Sequence, residues 1–252
     1  MPRRLLMLLA LVATVAVVAC NSTPQAPALT DPKDILVKSV TSLATVKTAT
    51  IKGTFSGSIT APDLGNFDLS TVKIDLAVDI PAKKTRVQVE APTIMGTSLD
   101  VIVADSNVYL KVLGPMAAFI GADASGKYTK AAADTGAVPG EASDPTKAIE
   151  QLRKGLDALP KPPEKLADEN IGGQDSYHIR MALSAEELGE LAEGATMGSV
   201  TVDVWTRKSD LRPAKITFAF DMGAQGNVGG VFEFTYDQAV NISAPPADQI
   251  AP

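Results

Sequence analysis

Two long stretches of this chain alternate apolar and polar residues with a period of two, and nothing else in it restricts the fold as much. The first stretch holds Ile51, Phe55 and Ile59, then Phe67 and Leu69, then Val72, Ile74, Leu76, Val78 and Ile80. Val87 and Val89 follow, and then Leu99, Val101 and Val103. Successive side chains of a strand point to opposite faces, so each set lies on one face of a sheet. Asp105-Ser106-Asn107 turns the chain into Val108-Tyr109-Leu110-Lys111-Val112, completing a meander of about five antiparallel strands. The phase slips from odd to even numbers near Ser70-Thr71, which predicts a bulge. Gly53 and Gly57 share a face with Ile51, Phe55 and Ile59; glycine inside a strand marks a bend or the close approach of another group.

The second stretch opens with the hairpin-like turn Ile171-Gly172-Gly173-Gln174-Asp175. Tyr177, Ile179, Met181 and Leu183 alternate after it, then Val200, Val202 and Val204, Ile216, Phe218 and Phe220, and Phe232, Phe234 and Tyr236. Helices are few. Asp31-Pro32 reads as an N-cap with proline at N1, and Ile35, Leu36, Ser39, Val40, Leu43 and Val46 predict a helix over 32–46. Asp144-Pro145 restarts a helix carrying Ile149, Leu152, Leu156 and Leu159. Ser184-Ala185-Glu186-Glu187 is a capping box for a short third helix with Leu188, Leu191 and Ala192 on its apolar side. Eight or nine strands and three helices, with few βαβ units, predict an α+β fold with a strongly curved antiparallel sheet. Residues 114–145 are glycine-rich and irregular, which points to a mobile entrance rather than core.

At the N-terminus, Arg3 and Arg4 precede an apolar run over 5–13 that Thr14 interrupts and Val15 resumes. This is a signal-peptide pattern, too short for a comfortable membrane span. Val17-Val18-Ala19-Cys20 resembles the bacterial lipobox, in which the cysteine thiol receives a diacylglycerol and cleavage falls just before it. Three segments follow: a lipoprotein signal peptide over 1–19, a lipidated tether over 20–30 that reaches about 17 Å, and a single domain over 31–248. The protein is expected on the extracytoplasmic face of the cell membrane, held there through Cys20. Cys20 is the only cysteine, so acylation leaves no thiol for disulfides or thiolate metal sites.

Chemistry is sparse. A formal net charge of −6 gives no electrostatic basis for binding nucleic acid. There is no G-x-S-x-G elbow, no H-E-x-x-H and no C-x-x-C. His178, the single histidine, alternates with Tyr177 and Ile179 and so falls with Arg180 on the polar face, where it is expected to meet solvent. No catalytic residue, metal or cofactor is expected, and the chain reads as a non-enzyme.

The apolar faces carry small residues, Gly53, Gly57, Ala77 and Ala219, and the helices are few for so much strand surface. A large aliphatic-lined cavity suited to acyl chains is one resolution; helices that simply cover the sheet are the other. The residues that would line such a cavity are Ile51, Phe55, Ile74, Leu76, Val78, Val87, Val89, Leu99, Val101 and Val103.

In order, tether, helix, meander, irregular middle, helix and four-strand run resemble the LppX/LprG/LprA/LprF family of mycobacterial lipoproteins. Asp105-Ser106-Asn107-Val108-Tyr109 is similar to that family's D-G-N-L-Y, and Ile171-Gly172-Gly173-Gln174 to its I-N-G-Q. Val202-Asp203-Val204-Trp205 with Leu211-Arg212-Pro213-Ala214-Lys215-Ile216 resembles its V-W-I…L-A-Q-A-K-L hairpin, and Phe234-Thr235-Tyr236…Val240-Asn241-Ile242…Pro245-Pro246 its ending. The resemblance implies a LolA-like half-barrel wrapped over a few helices around a central apolar cavity. It implies a monomeric carrier of di- or triacylated lipid or glycolipid across the cell envelope, with a membrane transporter as partner. An envelope sensor of the same fold, without a transported ligand, is the alternative. The glycine-rich 114–145 stretch departs from the family in length.

Overall fold

The computed structural model describes residues 28–61, 65–94, 96–115, 117, 125–132, 150, 153–187 and 198–252. Met1–Thr30 and Asp31–Pro252 are separate units, and the second contains the sheet. Asp31 caps the first helix by accepting a hydrogen bond from the Asp34 amide at 2.8 Å. Helix α1 (Pro32–Ser42) buries Ile35, Leu36 and Ser39 and tightens into a 3₁₀ turn over Leu43–Thr45.

Thirteen strands follow among the described residues: β1 (Thr48–Ala61), β2 (Gly65–Asp68), β3 (Lys73–Asp79), β4 (Lys84–Ala91), β5 (Thr97–Ala104), β6 (Asn107–Leu113), β7 (Thr129–Ala132), β8 (Glu164–Lys165), β9 (Glu169–Ile171), β10 (Gln174–Leu183), β11 (Val200–Arg207), β12 (Pro213–Asp221) and β13 (Gly226–Tyr236). They form one curved antiparallel sheet in the order β7-β6-β5-β4-β3-β1-β13-β12-β11-β10-β8, with β2 on β1 and β9 on β10. Its two ends do not pair, so it is a half-barrel and not a closed barrel. The strands beyond the expected eight or nine include β2, β7, β8 and β9, pieces of two to four residues that are too short to show a period.

Two hairpins have the two-residue loops expected of their sequences. Gly172 and Gly173 (φ 57° and 84°) join β9 to β10, and Asp105 and Ser106 (φ 52° and 59°) join β5 to β6; left-handed backbone at both loop positions matches the twist of the strands. The slip at Ser70-Thr71 is larger than the expected bulge. The Leu69 amide bonds to the Gly57 carbonyl at 3.0 Å and the Phe55 amide to the Val72 carbonyl at 3.3 Å, so Ser70 and Thr71 loop out as a turn that divides β2 from β3. Gly57, at φ 89°, absorbs the break on the facing strand.

The ladders sort the side chains into two faces. Ile51, Leu76, Val87, Val101 and Leu110 are successive cross-strand neighbours and share one face with Phe234. Helix α1 packs on this inner face: Thr206, in line with Val202 and Val204, donates from Oγ1 to Ser39 Oγ at 3.2 Å. On the outer face, the chain after β13 crosses from the middle of the sheet to its β7 edge. Ile242 packs with Ile102, Ala104, Tyr109 and Tyr128, joined by Ala77, Val240, Ala244 and Ile250. The Tyr128 amide bonds to the Gln249 carbonyl at 2.8 Å and the Ala251 amide to the Tyr128 carbonyl at 2.9 Å, so the ordered chain continues past Pro245-Pro246. Of the stretch 114–145, residues 125–132 include the buried Tyr128 and an edge strand; most of the remainder, with the mobility expected of it, lies outside the described residues. Leu188, Leu191, Ala192, Ile149 and Leu152 also lie outside them.

Candidate functional site

The strand register brings all ten residues singled out in the sequence to the inner face. Ile51, Leu76, Val87 and Val101 form one cross-strand row; Ile74, Val89 and Leu99 form the next, level with Gly53. Val78 and Val103 lie in a third row, level with Ala49 and Thr85, and Phe55 follows Gly53 along β1.

Burial along this face is uneven. Near one flank Val108 and Val112 are buried, and near the other Ile179 and Val204 are, at 0% and 6% exposure. Between them all ten residues are only half-buried. An apolar floor thus lies between buried shoulders. Among the described residues, packed clusters lie under the C-terminal segment on the outer face and at the end of the inner face, where Leu69, Val72 and Ala91 are packed by Ile59, Ile94 and Val228 and by Phe55 and Val89 of the floor itself.

The floor is aliphatic on β3 to β5 and aromatic toward β12 and β13. Phe55 meets Phe232 edge-on at 5.8 Å between centroids and Phe218 at 6.1 Å, while Phe218 and Phe232 stack at 6.1 Å. Phe218, Phe232 and Phe234 are half-buried on the same face. They were absent from the ten residues, although the alternation of the second stretch carried the signal.

Polar groups are paired on the outer face. Arg86 makes a two-pronged bond to Asp100 at 2.7 and 3.1 Å, and Asp100 also accepts from the Tyr128 hydroxyl at 2.9 Å. The carboxylate raises the Arg86 pKa, and burial, aided by Asp100, raises that of Tyr128. His178 departs from expectation. It is on the polar face, yet it is 6% exposed and not in solvent. Its Nδ1 lies 2.9 Å from Glu169, its Nε2 lies 2.7 Å from Asp203, and its ring stacks on Trp205 at 4.3 Å. Alternation assigns a face; the neighbouring strands that bury this face are set by tertiary structure. Among the described residues no cluster of three or more His, Cys, Asp or Glu could hold a metal ion, and no helix is long and apolar enough to cross a membrane. Cys20 lies outside the described residues.

Comparison with known proteins agrees with this architecture. Neither a protein-family model nor a curated protein sequence matches the chain. Among solved structures, the lipoprotein LppX of Mycobacterium tuberculosis is similar over 84% of this chain and 98% of its own, at 10% identity and a TM-score of 0.50. LprF of Mycobacterium bovis is similar over 85% of this chain and 96% of its own, at 14% identity and a TM-score of 0.50. The fold implied by the sequence motifs is therefore the fold observed: an open antiparallel half-barrel of the kind found in these lipoproteins.

Proposed function

We propose that this chain is a membrane-anchored, extracytoplasmic lipoprotein that holds an acylated lipid or glycolipid against its inner face and carries it across the cell envelope. One observation carries the reading: ten aliphatic and aromatic side chains, brought together by four strands, remain half-buried between fully buried shoulders. Burying apolar area contributes about 25 cal/mol per Å², so a packed domain closes such a floor. A half-open apolar floor has the chemistry of a site for acyl chains. The fold shared with LppX and LprF supports this reading, as does the resemblance of residues 1–19 with Cys20 to a lipoprotein signal and its lipobox.

Enlarging the floor residues tests it. In a filled core, Val87→Trp and Val101→Trp would be overpacked and cost about 1–3 kcal/mol. In a lipid site the indole occupies ligand space, so melting temperature should hold or rise while the mass of lipid co-purifying with the protein falls. Strong destabilisation of both variants, with no lipid on the wild type, would transfer the argument to the sensor reading.

A further inference from the structure

Among the described residues, three buried side-chain polar atoms have no hydrogen-bond partner: Thr97 Oγ1, Trp205 Nε1 and the Tyr236 hydroxyl. Trp205 is on the outer face, in line with His178 and Lys215. The two hydroxyls are both on the inner face, at opposite ends of the floor. Thr97 pairs with Ala91, a member of the apolar cluster that also holds Leu69 and Val72. Tyr236 pairs with Ala49, in the row that holds Val78, Thr85 and Val103. On β5 the stretch from Thr97 to Val103 spans roughly 20 Å, which is about the reach of an extended acyl chain built of 1.5 Å bonds.

Resting on the lipid-site reading above, we propose that the Tyr236 hydroxyl is the polar anchor of that site. It donates a hydrogen bond to an ester carbonyl of a neutral acylglycerol, whose chains extend toward Thr97. Tyr236 is 7% exposed, and its ring stacks with Phe234 of the floor at 6.2 Å. Burial raises its pKa, which keeps the hydroxyl protonated as a donor. A buried donor without an acceptor destabilises the free protein, and a ligand carbonyl relieves that cost. The guanidinium groups of Arg207 and Arg212 lie 4.9 and 5.5 Å from the ring centroid. Asp210 pairs with Arg207 and Asp237 with Arg212, so this end offers polarity with little uncompensated charge. That favours an uncharged ester over a free carboxylate. Ala91, the partner of Thr97 across the ladder, belongs to an apolar cluster, which suits the end of a chain.

The test compares dioleoylglycerol with its dialkyl ether analogue, which has the same chains but no carbonyl, on wild type, Tyr236→Phe and Thr97→Val. Wild type should bind the ester about five- to tenfold more tightly, the effect of one hydrogen bond. Tyr236→Phe should bind both lipids with the ether's affinity and should melt no lower than wild type when lipid-free. Thr97→Val should keep the preference. Equal binding of ester and ether by wild type, or a preference that survives in Tyr236→Phe, overturns the anchor while leaving the lipid site standing. If wild type binds neither lipid and carries none from its own membrane, the lipid site falls, and the anchor falls with it.

Discussion

At Gly53 an aromatic ring lies close against bare backbone of the floor. Gly53 pairs across the ladder with Phe232, and a β-carbon built on it would lie 2.7 Å from Phe232 Cε1. Gly230 repeats the arrangement under Phe218, at 2.3 Å. In each pair a ring covers backbone that its neighbour leaves bare, so the sheet keeps apolar cover at two positions without side chains. The sequence marked Gly53 as a place where something comes close; the register identifies that group as the ring one strand away. Gly53→Ala should therefore cost about 1–3 kcal/mol by overpacking, measured by urea unfolding. Adding Phe232→Leu should recover part of that loss, because the clash is between the two side chains. A loss of the same size with and without the phenyl ring would place the cause in the backbone.

Among the elements, the segment after β13, a strap across the outer face, was the least legible. It has no period, and Ala244-Pro245-Pro246 reads locally as an ending. Its partners, Ile102 on β5, Tyr109 on β6 and Tyr128 just before β7, are far away in the sequence, so the residues themselves give no local sign of the packing. Helix α1 was legible almost to its last turn, because the Asp31 cap, the proline and the apolar stripe are all local signals. The capping box was equally plain: the Ser184 amide donates to Glu187 at 2.7 Å and the Glu187 amide to Ser184 at 3.3 Å. Ile242 is 6% exposed at the centre of the strap, and Ile242→Ala should cost about 2–5 kcal/mol. Amide exchange should speed up most in β7, whose approach at Tyr128 is tied to the strap through Gln249 and Ala251. Unchanged exchange in β7 would mean that the edge strand is held without the strap.

For the whole molecule, the sequence defined the faces and the open antiparallel architecture, since period-two alternation is a property of each strand by itself. It left open what covers each face, as His178 illustrates, because cover depends on distant segments. The proposed anchoring role of Cys20 has its own test. Two or three acyl chains, at about 0.8 kcal/mol per buried CH₂, give a stable anchor. Cys20→Ala should shift the protein from the membrane to the soluble fraction. Retention of that variant at high salt, with an N-terminus beginning at residue 20, would remove the lipid anchor from the account.

The pairing of β1 with β13 also dictates when the domain can mature. Among the described strands β1 is the first to be made and β13 the last, yet they are neighbours at the centre of the sheet, with Ala49 opposite Tyr236. Contacts between such distant parts of a chain are slow to form, because loop closure must precede them. A chain threaded through a membrane N-terminus first would hold β1 with one side unpaired until the final strand emerged. During that interval the edge of β1, and the floor beside it, would be open to any partner able to add a strand. The domain cannot be assembled by halves, and a chaperone acting on it would be needed most while its beginning waits for its end.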